Sequence, residues 1–348
     1  MTNAGGKKQV RLQDIAERVK LSVSTVSRSL AGHTSISEEA RAAVRKAAMD
    51  LGYVAFTHGA RKPRQATRTI GILVSAYEFH NRFVTLLLEH IHRDLLESGF
   101  HVLVMLDPIN STNDINHLAA FRPIIDGYLE GMILMSVTTD SILVSELQML
   151  GMPVVLAMRS VDNPTVDVVE ADNIQGGAKI MEHLYELGHR RFGLVMGTQQ
   201  ASTSRDRARG AVEFLRSKGI PPEDIPIIWN AFTFETGYSG ATQLLEAIPR
   251  VTAIMAGADS IAMGVLEAAE CKGFSVPGHV SVTGFDDVPL SGTRLVSLTT
   301  VQSRAQEISL ATCRRLIDRI KNGLVAPPSR DVMPVQLMRR NTTGPCSS

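Results

Sequence analysis

From Thr69 onward the chain alternates short, near-continuous apolar runs with amphipathic stretches of helical length. TIGILVS, HVLVML, GMILMS, PVVLAM, FGLVMG, TAIMAG and VSVTGF have the length and composition of buried strands. Between them, Phe83–Leu96, Gly176–Leu187 and Arg207–Lys218 carry apolar residues at helical spacing. A strand that is apolar on both faces has to be covered on both faces, and strand–helix–strand repetition supplies that cover in a parallel sheet. The strands number about ten, more than one sheet holds comfortably, so two similar lobes are expected. Ligands of such sheets bind at the carboxyl ends of the strands, which between two lobes becomes a cleft.

The first 54 residues read differently. Leu12, Ile15, Ala16 and Val19 fall at helical spacing, Lys20-Leu21 breaks the phase, and Ser22 is placed to cap a second helix. In that helix Val23, Val26 and Leu30 are expected to face inward, leaving Ser24, Thr25, Ser27 and Arg28 outside. Ser37 opens a third helix with Ala40, Val44, Ala47, Ala48 and Leu51 on its inner side. Small hydroxyls at a helix N-terminus hold phosphates, and an arginine can chelate guanine in a major groove; an ordinary solvated helix pair remains open on periodicity alone.

Charge sharpens this reading. Residues 1–68 hold 13 Lys/Arg against 5 Asp/Glu, although the 348-residue chain carries only +1 overall. A basic head on an acidic body is the electrostatic footprint of nucleic acid bound at one end. Cys271, Cys313 and Cys346 lie far apart with no metal-ligand spacing, so they read as buried thiols, and no metal or cofactor is expected. MTNAGGKKQV lacks an apolar signal core and no run of 18 apolar residues occurs, so a cytoplasmic protein is expected, on the nucleoid when bound to DNA, with no membrane partner.

Taken in order, LQDIAERVKLSVSTVSRSLAG, LGY, IGILVS, PVV, DNIQGG, LGHRR, the Gly197–Gly210 segment, GADSIAMGVLEAA, VPGHVSVTGFDD and LTTV resemble the lactose/galactose-repressor (LacI/GalR) family over about residues 10–340. The resemblance implies an α/β, two-lobed periplasmic-binding-protein-like core with an N-terminal all-α helix-turn-helix head. The boundaries expected are a head at 1–54, a basic hinge at 55–69, a core at 70–340 and a tail at 341–348. Lobe 1 is expected at about 70–165 and 303–325, lobe 2 at about 166–302 and 326–340. It further implies a homodimeric transcription regulator, most simply a repressor, that binds a pseudo-palindromic operator in double-stranded DNA. A small effector, a sugar or sugar derivative, sits between the lobes; a nucleoside or purine-type effector stays open. By position, Val23, Ser24 and Arg28 match base contacts, and Ser22, Thr25 and Ser27 match phosphate contacts.

The hinge departs from the family pattern. The residues after LGY usually form a helix whose leucine wedges into the minor groove, whereas here Ala55, Phe56, Gly59 and Lys62 take the key places. Gly59 disfavours helix and Lys62 is no apolar wedge, so Arg61 and Lys62 are read as neutralising phosphate or entering a narrow groove. In the core, the resemblance assigns Arg205 to grip the effector, Asp286 to accept its hydroxyls, and Phe232 to stack on its ring, with Phe79 a weaker contact from the first lobe. Ala258 replaces a usual asparagine before Asp259, and Met135 and Met158 occupy places that hold polar contacts in other members, which implies a less polar pocket. The tail NTTGPCSS has no heptads and so no tetramer helix.

Two other classes fit the sequence less well. An enzyme would need a catalytic motif, and GxGxxG after the first strand, Walker A, HExxH and GxSxG are all missing. A small-molecule binding protein without operator specificity accounts for the core but not for the basic helical head.

Overall fold

The computed structural model describes residues 10–30, 36–51, 67–79, 81–107, 124–125, 127–247, 249–323 and 326–346. Three helices form the head: α1 (Leu12–Val19), α2 (Val23–Leu30) and α3 (Glu38–Leu51). Lys20 ends α1 in the left-handed region at φ 54°, which turns the chain into α2 within three residues. Ile15, Ala16, Val26, Val44, Ala47 and Ala48 make the small head core, and Met149 of the body packs against it. The hinge expected at 55–69, including Arg61 and Lys62, lies outside the described residues except for its last three positions.

The first lobe is built on β1 (Thr69–Ser75), β2 (His101–Asp107), β3 (Gly131–Leu134), β4 (Val154–Ala157), β5 (Asp167–Ala171) and β11 (Arg330–Met333). They form one parallel sheet in the order β11-β5-β4-β3-β1-β2. Helix α4 (Arg82–Glu97), capped by Asn81 Oδ1 accepting from Phe83 N at 2.9 Å, and α5 (Leu143–Met149) flank it. The second lobe has β6 (Phe192–Met196), β7 (Ile227–Trp229), β8 (Ala253–Ala256) and β9 (Ser281–Thr283) in the order β7-β6-β8-β9, again parallel. Its helices are α6 (Asn173–Glu186), α7 (Ser202–Ser217), α8 (Phe234–Glu246) and α9 (Asp259–Cys271). A two-stranded antiparallel pair, β10 (Thr300–Gln302) with β12 (Gln336–Met338), adjoins it, and α10 (Ala305–Asn322) returns to pack on α4.

Two expected boundaries are corrected. The sequence reading placed 166 onward and 326–340 in lobe 2, yet β5 pairs with β4 and β11 pairs with β5 inside the first sheet. A doubly covered parallel strand is apolar throughout, so its sequence carries no label for the sheet it joins; hydrogen-bond partners decide. The chain therefore crosses between lobes near 172, 303 and 335, and Asp172 N donates to Met333 O beside two of the crossings. Helix α7 also begins at Ser202, five residues before the expected start. Of the three cysteines expected to be buried, Cys313 is, whereas Cys271 at the end of α9 is exposed and Cys346 is half-buried.

Close helix packing sets the cleft. A Cβ on Gly177 of α6 would collide with the Arg207 carbonyl of α7, and one on Gly210 of α7 with the Ile174 carbonyl. The two glycines let the helix backbones touch, which fixes the rotation of α7 and hence which of its side chains face the cleft.

Candidate functional site

In the head, Ser22 Oγ accepts from Thr25 N at 3.1 Å and hydrogen-bonds the hydroxyls of Ser24 and Thr25 at 2.9 and 2.8 Å. This is an N-cap, satisfying one of the orphan donors at the start of α2. Ser24, Ser27 and Arg28 are exposed and Thr25 is half-buried. Val23, expected inward on periodicity, is 44% exposed. It occupies the first position of α2, outside the span where Ile15, Val26 and Val44 fill the core, and so shares the outer face with Ser24 and Arg28.

Between the lobes lies a cavity of about 840 Å³, a size that suits a small molecule. Tyr77, Asn81 and Arg82 line it from the end of β1 and the start of α4; Phe232, Asp259 and Asp286 line it from the second lobe. These three second-lobe residues are sequence-expected and the structure brings them together. The remaining five are placed elsewhere. Met135 and Met158 are buried in the main core cluster, Phe79 packs half-buried against it, and Ala258 is the buried residue preceding α9.

Arg205 is the sharpest correction. Its guanidinium is 41% exposed and reaches outward to Asp162 at 2.7 Å. Arg207, two residues on, takes the inner place and is almost completely buried. Its Nε donates to Asn173 Oδ1 at 2.9 Å, one terminal nitrogen to Gly257 O at 2.6 Å and the other to Asp286 Oδ1 at 3.1 Å, while its plane lies 3.7 Å over the Phe285 ring. Helical phase explains the exchange: Arg207 is one turn from Ala211 and shares the face of Ser204, Ala208, Ala211 and Leu215, all buried, whereas Arg205 falls off that stripe. Counting the wheel from Ser202 exposes that signal; starting the helix at Arg207 hides it.

Burial raises the Asp286 carboxyl and lowers the Arg207 guanidinium, and each charge opposes the other's shift. Asp286 also accepts from Ser303 Oγ at 3.2 Å and sits at φ 117°, a strained backbone position of the kind concentrated at functional sites. Asp259 accepts from Thr300 Oγ1 at 2.5 Å, Ser291 Oγ at 2.7 Å and Val288 N at 2.9 Å. Burial, with repulsion from Asp286, pushes its carboxyl up to about 7 despite those donors.

Sequence reasoning missed a second buried pair. Arg159, two residues beyond β4, meets Glu78, three residues beyond β1, at 2.7 Å, and its guanidinium lies 4.9 Å from the centroid of the Phe232 ring. Arg159 Nε, Glu78 Oε2, Ser75 Oγ, Ser136 Oγ, Thr203 Oγ1 and Ser204 Oγ are buried without a hydrogen-bond partner. Such a group costs about 1–3 kcal/mol when left unsatisfied, so their concentration around strand ends and the first turn of α7 marks a place meant for a polar occupant. No local pattern announces the pair, because parallel strands, not sequence proximity, bring its members together. Thr139 N donates to Gln200 O and Ser160 N to Ser202 Oγ, both at 2.8 Å, closing one side of the cleft.

The chain matches two family models: the bacterial regulatory proteins of the lacI family over residues 11–55, and a periplasmic binding protein-like domain over residues 181–343. It is 29% identical over 332 residues to the HTH-type transcriptional repressor CytR of Escherichia coli strain K12, covering 95% of this chain and 96% of CytR. The head thus matches the lacI-family model, and over nearly its whole length the chain is similar to a transcriptional repressor. It is also 27% identical to the HTH-type transcriptional regulator CelR of Thermobifida fusca over 341 residues, 97% of this chain and 99% of CelR. A solved complex of a transcriptional regulator CelR with cellobiose superimposes with a TM-score of 0.75 at 27% identity, covering 96% of this chain and all of that one. The head is the DNA-binding part of a transcriptional regulator and the two lobes are its effector-binding part. No described helix is long and apolar enough to cross a membrane, and the described residues hold no cluster of three metal-ligating side chains.

Proposed function

We propose that this chain is a lacI-family regulator and represses transcription in the cytoplasm as a homodimer on a pseudo-palindromic operator, under control of a small effector held between its lobes. The observation that carries the reading is a cavity walled by both lobes and lined by Phe232 and by Asp286, which the buried Arg207 holds from behind, on the same chain as a helical head that exposes Ser24 and Arg28. Val23, Ser24 and Arg28 read base edges; Ser22, Thr25 and Ser27 hold phosphates. One three-helix head spans few base pairs, so two heads related by a two-fold axis supply the specificity. Arg61 and Lys62 add charge along the backbone rather than a wedge. A hinge-bending change in the angle between lobes alters the spacing of the two heads. Arg207, in place of Arg205, fixes Asp286 at the cavity wall for the effector's hydroxyls.

A sugar or sugar derivative is the effector favoured, since the similar CelR chain is solved with cellobiose and an aromatic wall beside buried carboxylates suits a sugar ring; a nucleoside is the second reading. The test is selection of binding sites from random duplex DNA by the full chain. Enrichment of a two-fold sequence supports the proposal, and binding indifferent to sequence overturns it.

A further inference from the structure

The two walls of the cleft differ in how far their polar groups are satisfied. In the second lobe Arg207, Asp286 and Asp259 are engaged by protein donors and acceptors. In the first lobe Glu78 and Arg159, both more than nine-tenths buried, hold each other through one oxygen and one nitrogen and leave Oε2 and Nε without partners. Ser75 and Ser136 flank them in register: Leu73 of β1 is opposite Leu134 of β3, and each serine stands two residues further along. Arg159 follows the end of the adjoining strand β4 by two residues. Four unpartnered polar groups therefore gather at the carboxyl edge of three neighbouring strands, against the ring of Phe232 that lines the cavity.

We propose that the Glu78–Arg159 pair is the specificity-determining element of the first lobe and that it selects a neutral polyhydroxy effector against an anionic one. The inference rests on the cleft being the effector site. Oε2 only accepts, Nε only donates, and the two serine hydroxyls do either, which complements a run of neighbouring sugar hydroxyls, each a donor and an acceptor. Phe232 offers the apolar face of such a ring its partner. Among the described residues the buried cations of the cleft are committed, Arg159 to Glu78 and Arg207 to Asp286, and Arg82 at the rim shares its charge with Glu89. An anion instead meets Glu78, Asp259 and Asp286. The pair lies just behind the Phe232 ring, and parting of the lobes admits the ligand to it.

The experiment is calorimetric titration of the full chain with glucose, ribose, cellobiose, glucose 6-phosphate and gluconate. At least one neutral sugar is expected to bind, and each anion at least tenfold more weakly. Glu78→Gln frees Arg159 to face an anion and is expected to narrow the neutral-to-anion ratio by tenfold or more, a readout that a merely structural role leaves unmoved. The double variant Glu78→Gln/Arg159→Gln strands no buried charge; with folding verified by circular dichroism, it is expected to weaken the sugar at least tenfold. An anion binding as tightly as the sugars, no binding by any neutral sugar, or an unaltered ratio in Glu78→Gln overturns the proposal. Wild-type sugar affinity in the double variant, with loss in Asp286→Asn, overturns it while leaving the cleft as the effector site. Wild-type affinity in both removes the cleft reading as well.

Discussion

Arg207 and Asp286 meet at 3.1 Å inside the second lobe, each side chain about 5% exposed, while Arg205 on the same helix reaches out to Asp162 at 2.7 Å. Two arginines two residues apart thus have opposite roles, one holding Asp286 from inside the lobe and the other tying α7 to the loop after β4 at the surface. The difference is energetic as well as geometric. A buried pair broken from one side leaves an uncompensated charge, whereas an exposed pair loses little that water does not replace.

Arg207→Met is therefore expected to lower unfolding stability by about 3–5 kcal/mol, because Asp286 stays buried without its partner. Arg205→Ala is expected to cost less than about 1 kcal/mol. Urea denaturation of the two variants checks the order; equal losses, or a larger loss for Arg205→Ala, would contradict the assignment of Arg207 to the interior.

In the head, Arg28→Ala is expected to weaken operator binding by about 1–3 kcal/mol and to relax preference at one base pair in each half-site. Ser22→Ala removes the N-cap of α2 and is expected to destabilise the head by about 1 kcal/mol, weakening all operator sequences alike. Fluorescence anisotropy over a set of single-base operator variants separates the two patterns. A uniform loss with Arg28→Ala would assign that side chain to phosphate rather than to a base.

The Asp259 carboxyl supplies a pH dependence. Its folded-state value is pushed up to about 7 from an ordinary 3.8, so between those limits the folded chain keeps a proton that the unfolded chain has released. Stability from this group is fully present below 3.8 and is lost as pH rises through about 7. Asp259→Asn mimics the protonated form and cannot ionise. The thermal midpoint of the wild-type chain is expected to fall relative to that of the variant between pH 5 and pH 7.5, measured by differential scanning fluorimetry. Midpoints that run parallel over this range would show that the carboxyl titrates as in the unfolded chain.

Local periodicity made the head and the alternation of strands and helices along the chain legible. Ile15, Ala16, Val26 and Val44 were readable as a core because helical spacing is a short-range property, and the exposure of Ser24 and Arg28 followed from it. Phe232, Asp259 and Asp286 were legible through the ordered resemblance of their motifs. Val23 escaped because the start of a helix lies at the margin of the wheel, and Arg207 escaped because the helix start was set five residues late.

By itself the sequence determined that a basic three-helix head precedes a parallel α/β body, since both follow from spacings within a few residues and from charge counted along the chain. Tertiary structure alone decided that β5 and β11 belong to the first sheet and that Glu78 meets Arg159. It likewise decided that Met135 and Met158 are core and not cavity. The physical reason is common to all three: in a doubly covered parallel sheet neighbours are distant in sequence, and apolar strands of equal quality compete for the same places. Which groups meet at the strand ends is then set by hydrogen-bond register and helix packing, quantities that no local pattern encodes.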